Sequence, residues 1–359
     1  MQGSQSSPIW KFWKKLTAGW HLYLEQPVPA EELTFSREAA SIPSFGFFFL
    51  LISATFIATL GLVANSTAVI IGAMIVAPLM NPILSMAFAI VTANWTLYKR
   101  SIVTLALGTC CAILISWGVV FLLPINIVGS EIIARTSPNL IDLGIAIAAG
   151  TAGSFSLTRK SIASSIAGVA IAVALLPPLC VVGLGLGLGD QISVEIGRVV
   201  VRDPSISGGA FLLFLTNLAG ITFASCLIFL SQAYGNLVKS FQAIVIWLLI
   251  MLLLCGPLTN SLQEFFISNR INSEINLILN KYPEISKRIQ LRYLDVELEG
   301  TTAYIKILLN SPKGLLTDEY LESARSQLFE SVSEMGIKAM NLKIRVIPVE
   351  IRDYQSISE

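Results

Sequence analysis

Residues Asn65 to Ile90 read NSTAVIIGAMIVAPLMNPILSMAFAI, and the reading of this stretch decides the fold. It is long and apolar enough to cross a bilayer, which takes roughly 20 apolar residues. Pro78 and Pro82 nevertheless fall in its middle, with Asn81 between them. Proline lacks a backbone donor and its ring clashes with the carbonyl one turn earlier, so a helix here kinks or breaks near Ala77–Pro82. In hydrocarbon a broken backbone survives only where protein buries it or water reaches it.

The pattern recurs. Ala163 to Gly189 reads ASSIAGVAIAVALLPPLCVVGLGLGLG, again apolar and again interrupted, by Pro177 and Pro178. Displacing one stretch by a hundred positions lays Pro78-Leu79 on Pro178-Leu179 and Ile71 on Ile171, with Ala68 and Gly72 on Gly168 and Ala172. Each interrupted segment is second in a group of three. An odd number of crossings per copy forces the copies into opposite orientations, and paired broken helices in such an inverted repeat point to a transport site at the midplane.

Composition sets the class. Charged residues make up 13% of the chain, against about 25% in soluble domains. An α-helical integral membrane protein is expected. The net charge of +1 singles out no partner besides the lipid bilayer, and no nucleic acid is expected. Cys110, Cys111, Cys180, Cys226 and Cys255 all lie in apolar runs without metal-ligand or disulfide spacing, and read as packing residues.

Seven spanning segments are expected, near Ser44–Val63, Thr67–Ile90, Ser101–Leu123, Asn139–Leu157, Ile162–Leu188, Gly208–Leu230 and Phe241–Leu258. They make two repeats, about 44–123 and 139–230, plus one extra helix, 241–258, within a transmembrane domain at 44–258. Residues 1–43 form an N-terminal segment in which Pro8 to Leu24 mixes Trp10, Phe12, Trp13 and Trp20 with Lys11, Lys14 and Lys15. That is the composition of a helix lying on a cytoplasmic headgroup surface. His21 sits there with no second histidine to share a metal. Lys99-Arg100, Arg159-Lys160 and Lys239 fall on the side of the basic N-terminus, which places that end in the cytoplasm of a multi-pass inner (plasma) membrane protein. Seven crossings put the C-terminal domain outside, whereas a seventh segment that dips in and turns back at Gly256-Pro257 would leave it in the cytoplasm.

Beyond Asn260 charges return, and residues 263–359 form a soluble unit. A helix is expected at Asn272–Asn280, strands at Ile289–Leu298 and Thr302–Leu309 with Glu299-Gly300 as the turn, an amphipathic helix at Thr317–Met335 and a last strand at Asn341–Val349. The order α-β-β-α-β is that of a small α+β domain with a regulatory or assembly role.

Asp142 is the only acid within the segments as drawn. Near a helix centre an aspartate costs roughly 3 kcal/mol on insertion scales, and less near an end. Either it is a cation or proton site, or a gate paired with Arg135, or it caps its own helix within the first turn. Asn139 precedes it. Thr151, Ser154, Ser156 and Thr158 close the same helix, where hydroxyls ordinarily bond back to carbonyls or bridge helices, though Thr151 and Ser154 are kept as substrate contacts. Gly144, Ala148 and Ala152 form a small-residue packing ridge. Asn81, beside the break, can bond freed backbone or a ligand, and Asn65-Ser66 caps the second helix. Glycine at Gly183, Gly185, Gly187 and Gly189 serves close helix packing, or leaves the chain after Pro178 partly extended along an ion path. The candidate solute or ion site is therefore Asp142, Asn81, Pro78, Pro82, Pro177, Pro178, Asn139, Thr151 and Ser154, with no catalytic residue, metal or cofactor.

NSTAVIIGAMIVAPLMNPI, RTSPNLIDLGIAIAAGTAG and GVAIAVALLPPLCVVGLGL resemble the three signature stretches of domain-of-unknown-function family 389, hydrophobic membrane proteins of bacteria and archaea. The likeness covers roughly residues 40–230 and implies neither a substrate nor catalytic residues. A secondary transporter for a small ion or metabolite fits the paired breaks best. An ion channel built as a homo-oligomeric ring fits the scarcity of intramembrane charge and the glycine-rich segment. A membrane-anchored sensor or assembly protein working through the C-terminal domain is the third reading. No enzyme is expected, since no nucleophile–base pair or metal cluster is visible.

Overall fold

The computed structural model describes residues 26–123, 129–160, 175–188, 206–235, 237–280, 289–312, 315–316 and 318–348. It is mostly helical. The N-terminal part holds α1 (Ala30–Ala40), α2 (Phe45–Val63), α3 (Thr67–Val76), α4 (Met80–Thr92), α5 (Trp95–Leu122), α6 (Ser130–Ile133), α7 (Leu140–Leu157), α8 (Leu176–Leu188) and α9 (Ile206–Ser231). The long α10 (Leu237–Asn280) leads to β1 (Gln290–Glu299), β2 (Thr302–Ser311), α11 (Asp318–Ser333) and β3 (Ala339–Pro348).

Among the described residues, α2, α5, α7 and α9 are long and apolar enough to cross a membrane, and α3 with α4 forms one further candidate span bent by 53°. The break falls where the prolines predict it: α3 ends at Val76, Ala77 is extended, and α4 starts at Met80. Pro82 does not contribute to it. It sits in the first turn of α4, where its missing N–H would have had no intrahelical partner anyway. At the second proline site, α8 opens at Leu176 with Pro177 and Pro178 in its first turn. Residues 161–174, the other half of that expected span, lie outside the described residues, as do the N-terminal surface helix and His21. Seven full crossings are therefore not all carried by described helices. The helix α10 runs unbroken through Gly256-Pro257, so the chain does not turn back there and the dip-and-return alternative falls.

The bundle has two distinguishable ends. At one, Asn65 meets α6, and a Cβ on Gly209 at the start of α9 would strike the carbonyl of Thr136. At the other, the segment 26–41 lies across the helix termini like a strap. Val28 N–H donates to the Thr158 carbonyl at 2.9 Å and the Tyr234 hydroxyl to Val28 O at 2.6 Å. Further along, Ser85 Oγ donates to Arg37 O at 3.0 Å and Thr104 Oγ1 to Ser41 O at 2.7 Å. The strap thus ties the ends of α7 and α9 to α4 and α5. Arg159 pairs with Pro27 of the strap, and Asn94, just ahead of Lys99-Arg100, reaches Glu38 of α1, so both basic pairs belong to this end.

Glycines let helices approach. A Cβ at Gly183 would meet the Ile113 carbonyl and, at 2.6 Å, Ser116 Cβ; at Gly187 it would lie 2.6 Å from Val120. The run after Pro178 is therefore helical and packed on α5, and the partly extended alternative is overturned: close contact recovers what glycine loses in helix propensity. Gly150 packs likewise on the backbone of Ile221 in α9. The ridge Gly144, Ala148, Ala152 is instead exposed, and the packed face of α7 is Leu143, Ala146, Ala149, Gly150 and Gly153. Of the cysteines, Cys180 and Cys226 are buried in the core and Cys110 is exposed.

The C-terminal domain has the expected order α-β-β-α-β, its first helix being the second half of α10. Ile267, Ile271 and Ile275 share a core with Ile305, Ile307, Leu328 and Val332. β1 and β2 pair antiparallel and β2 and β3 parallel, in the order β1-β2-β3. The hairpin turn is Gly300-Thr301, one residue later than expected, because Glu299 pairs with Thr302 and Gly300 takes the left-handed φ of 61°.

Candidate functional site

A cleft of about 330 Å³ opens at the Asn65 end, lined by Thr67, Glu131, Ala134, Arg135, Asp142, Ile145, Pro178, Leu213 and Asn217. It is built by the first residue of α3, the short α6 and its flank, the first turns of α7, Pro178 of α8, and the middle of α9. It therefore draws on the start of α3 and on Pro178 in the first turn of α8.

The local fold that makes this cleft starts at Asn65. This residue takes a left-handed φ of 51°, a conformation asparagine tolerates better than most residues. Its Oδ1 accepts from Glu131 N–H at 2.9 Å and from Ser130 Oγ at 3.2 Å. Asn65 thus caps α6, not the helix that follows it, and Ser66, at the N-cap of α3, makes no side-chain cap bond. Gly129 is required beside it, because a Cβ there would come within 2.6 Å of Asn65 Oδ1.

Among the described residues three ionisable groups face the cleft, and two are paired. Arg135 Nη1 lies 2.8 Å from Glu131 Oε2, one helical turn away, and also donates to the Glu131 carbonyl. Thr67 Oγ1 donates to Glu131 Oε1 at 2.5 Å. The Thr67 hydroxyl, with the Arg135 guanidinium, holds the Glu131 carboxyl below the usual range against some desolvation. Arg135 is thus committed to Glu131, and the expected Arg135–Asp142 gate does not form. Asp142 instead completes a capping box: its Oδ2 accepts from Asn139 N–H at 2.9 Å, while Asn139 Oδ1 accepts from Ile141 N–H at 2.8 Å and Asp142 N–H at 3.3 Å. The carboxylate caps its own helix and lines the cleft, with no cation paired to it among the described residues. Capping and lining coexist because the box uses one oxygen.

Of the residues singled out from sequence, Asp142 and Pro178 line the cleft and Asn139 stands behind Asp142. Pro78, Asn81 and Pro82 are not in its lining, and Asn81 makes no side-chain hydrogen bond to a described residue; only its N–H bonds, to Pro78 O at 3.2 Å. Pro177 is buried in the first turn of α8. Thr151 Oγ1 donates to Ile147 O at 2.8 Å and Ser154 Oγ to Gly150 O at 2.6 Å, so both bond back to their own helix. Sequence reasoning misses Thr67, Glu131 and Asn217. Glu131 and Arg135 are spaced i, i+4, the one signal that shows them pairing with each other.

Residues 74–223 match the family described as Domain of unknown function (DUF389). An uncharacterized protein of Methanocaldococcus jannaschii is 36% identical over 186 residues, which are 52% of this chain and 53% of that protein. The chain thus spans about half the length of the curated relative it matches. The α3–α4 break, the Pro177-Pro178 pair, the capping box and most of the cleft fall inside residues 74–223, the stretch that matches the DUF389 family.

Proposed function

We propose that the protein is a secondary transporter that moves a small ion or small metabolite through the cleft between the two interrupted helices. The observation that carries this reading is an asymmetry of access. A cleft that holds Thr67, Glu131, Arg135, Asp142 and Asn217 among apolar residues enters from the Asn65 end and reaches Pro178, while the strap 26–41 is bonded across the opposite end. A site open to one side and closed to the other is what alternating access requires. Asp142, without a cation among the described residues, stands beside a neutralised Glu131–Arg135 pair, and this balance favours a cation or a solute bearing one.

In this reading α2 to α5 and α7 to α9 are inverted copies, the strap faces the cytoplasm of a plasma membrane, and α10 makes the seventh crossing to an extracytoplasmic C-terminal domain. Parallel packing of α7 and α9 supports it, since Gly220 lies on Leu143 and Ala146, and Ser225 reaches the Gly150 carbonyl. The deciding experiment is flux of sodium, potassium and protons in proteoliposomes holding the full chain. Saturable flux coupled to a gradient fits the proposal; unitary currents make the protein a channel.

A further inference from the structure

A second cavity, of about 390 Å³, lies at the strap end of the bundle, remote from the cleft. The end of α4 forms one wall, Asn94, Trp95 and Tyr98 at the start of α5 a second, and Gln242, Ile246 and Trp247 of α10 the third. The chemistry is layered. Trp95 and Tyr98 stack with centroids 5.2 Å apart, and Trp247 of α10 lines the same cavity. Lys99 Nζ sits 5.5 Å from the centre of the Trp95 ring, and exposed Arg100 follows it. Among the described residues the carboxylate at this corner is Glu38, whose Oε1 takes the Asn94 amide at 3.4 Å. Two cations there stand against one acid.

Below the aromatic layer the surface turns apolar in one direction. Ile246, Leu249, Ile250 and Leu253 of α10 are 56%, 59%, 40% and 77% exposed. Their spacing of three and four residues puts them on one face of the helix, leading away from the cavity. Aromatic rings that are apolar in body and polar at the tip, with basic side chains above and a bare aliphatic track below, match the profile of a lipid from headgroup to chain. Charge complementarity selects an anionic one, because basic residues at a membrane surface attract anionic headgroups.

We infer that this cavity is a binding site for one anionic phospholipid, whose phosphate is held by Lys99 and Arg100 and whose glycerol region lies among Trp95, Tyr98, Trp247 and Gln242. The acyl chain follows the exposed face of α10. The lipid then joins α5 to α10, the helix that continues into the C-terminal domain. This site is independent of the transport reading.

The test is native mass spectrometry of the full chain after exchange into equal amounts of phosphatidylglycerol and phosphatidylcholine. Two basic side chains give a preference for phosphatidylglycerol on the order of thirtyfold. Replacing Lys99→Gln and Arg100→Gln, both exposed and outside the packed core, should bring the preference close to one. Quenching of tryptophan fluorescence by brominated phosphatidylglycerol, compared between the native chain and Trp95→Phe with Trp247→Phe, reads the same site without touching the cations. Equal retention of the two lipids by the native chain overturns the inference. So does a preference that survives the double Gln variant, or displacement of the lipid by inorganic phosphate alone.

Discussion

Arg135 Nη1 lies 2.8 Å from Glu131 Oε2, and this pairing leaves Asp142 as the cleft carboxylate without a cation among the described residues. Asp142→Asn keeps an oxygen that can accept the Asn139 N–H, so the cap and the fold should survive. The charge is lost. A unit charge 4 Å away is worth about 4 kcal/mol at an effective dielectric of 20, so cation flux should fall by at least on the order of a hundredfold. Normal thermal stability with lost flux is the expected pair of results. Unchanged flux would reduce Asp142 to a capping residue.

Glu131 supplies a pH prediction. Its folded-state carboxyl is held low, chiefly by the Thr67 hydroxyl and then by Arg135. A carboxyl with a depressed folded value adds stability above its unfolded pKa, near 4.5, and that contribution is lost as pH falls through the lower folded value. Thr67→Val should shrink the loss of stability between neutral pH and pH of about 3. Thermal unfolding across that range measures it, and an identical acid profile for both proteins would refute the assignment.

The glycines divide into two groups with opposite outcomes. Gly183→Ala would push a methyl into the Ile113 carbonyl and Ser116, and should destabilise by about 1–3 kcal/mol. A methyl added at Gly72 or Gly144 would meet nothing within 4 Å among the described residues. There alanine should be neutral or stabilise by up to about 1 kcal/mol, through helix propensity alone. Unfolding of the three single variants in one detergent tests the contrast.

Arg37 belongs to the strap and is 6% exposed, with Nε and Nη1 making no hydrogen bond to a described residue and Ser36 Oγ 3.2 Å from Nη2. Burial pushes the guanidinium down from its ordinary value to about 10. Because the folded value is the lower one, the charge costs stability at every pH below about 10. The cost fades only as pH rises beyond that. Arg37→Met should therefore raise stability by roughly 1–4 kcal/mol at neutral pH, the range seen when buried charges are replaced by apolar groups. A less stable Met variant would mean that the charge has a partner under the strap.

Backbone breaks and soluble strands are legible in the sequence because prolines and alternating apolar residues act locally. Pro78 interrupts the helix within two residues of itself, and Leu342, Ile344 and Val346 declare a strand by spacing alone. The cleft is only half legible. Asp142 stands out by being charged in an apolar run, but Thr67, Glu131 and Asn217 come from three separate elements whose convergence depends on packing. The choice of partner is the hardest part. Arg135 is seven residues from Asp142 and four from Glu131, and only the helical turn of α6 makes the nearer acid the reachable one. Asn65 misleads for the same reason, since its side chain caps a helix 65 residues later in the chain.

The most direct test of one-sided access is labelling of Ile145→Cys, in the cleft wall one turn from Asp142, on a background without native cysteines. A membrane-impermeant thiol reagent should react from the Asn65 side and not from the side of Lys99. Reaction from both sides without added solute would show a continuous pore, and reaction from the Lys99 side alone would contradict the account outright.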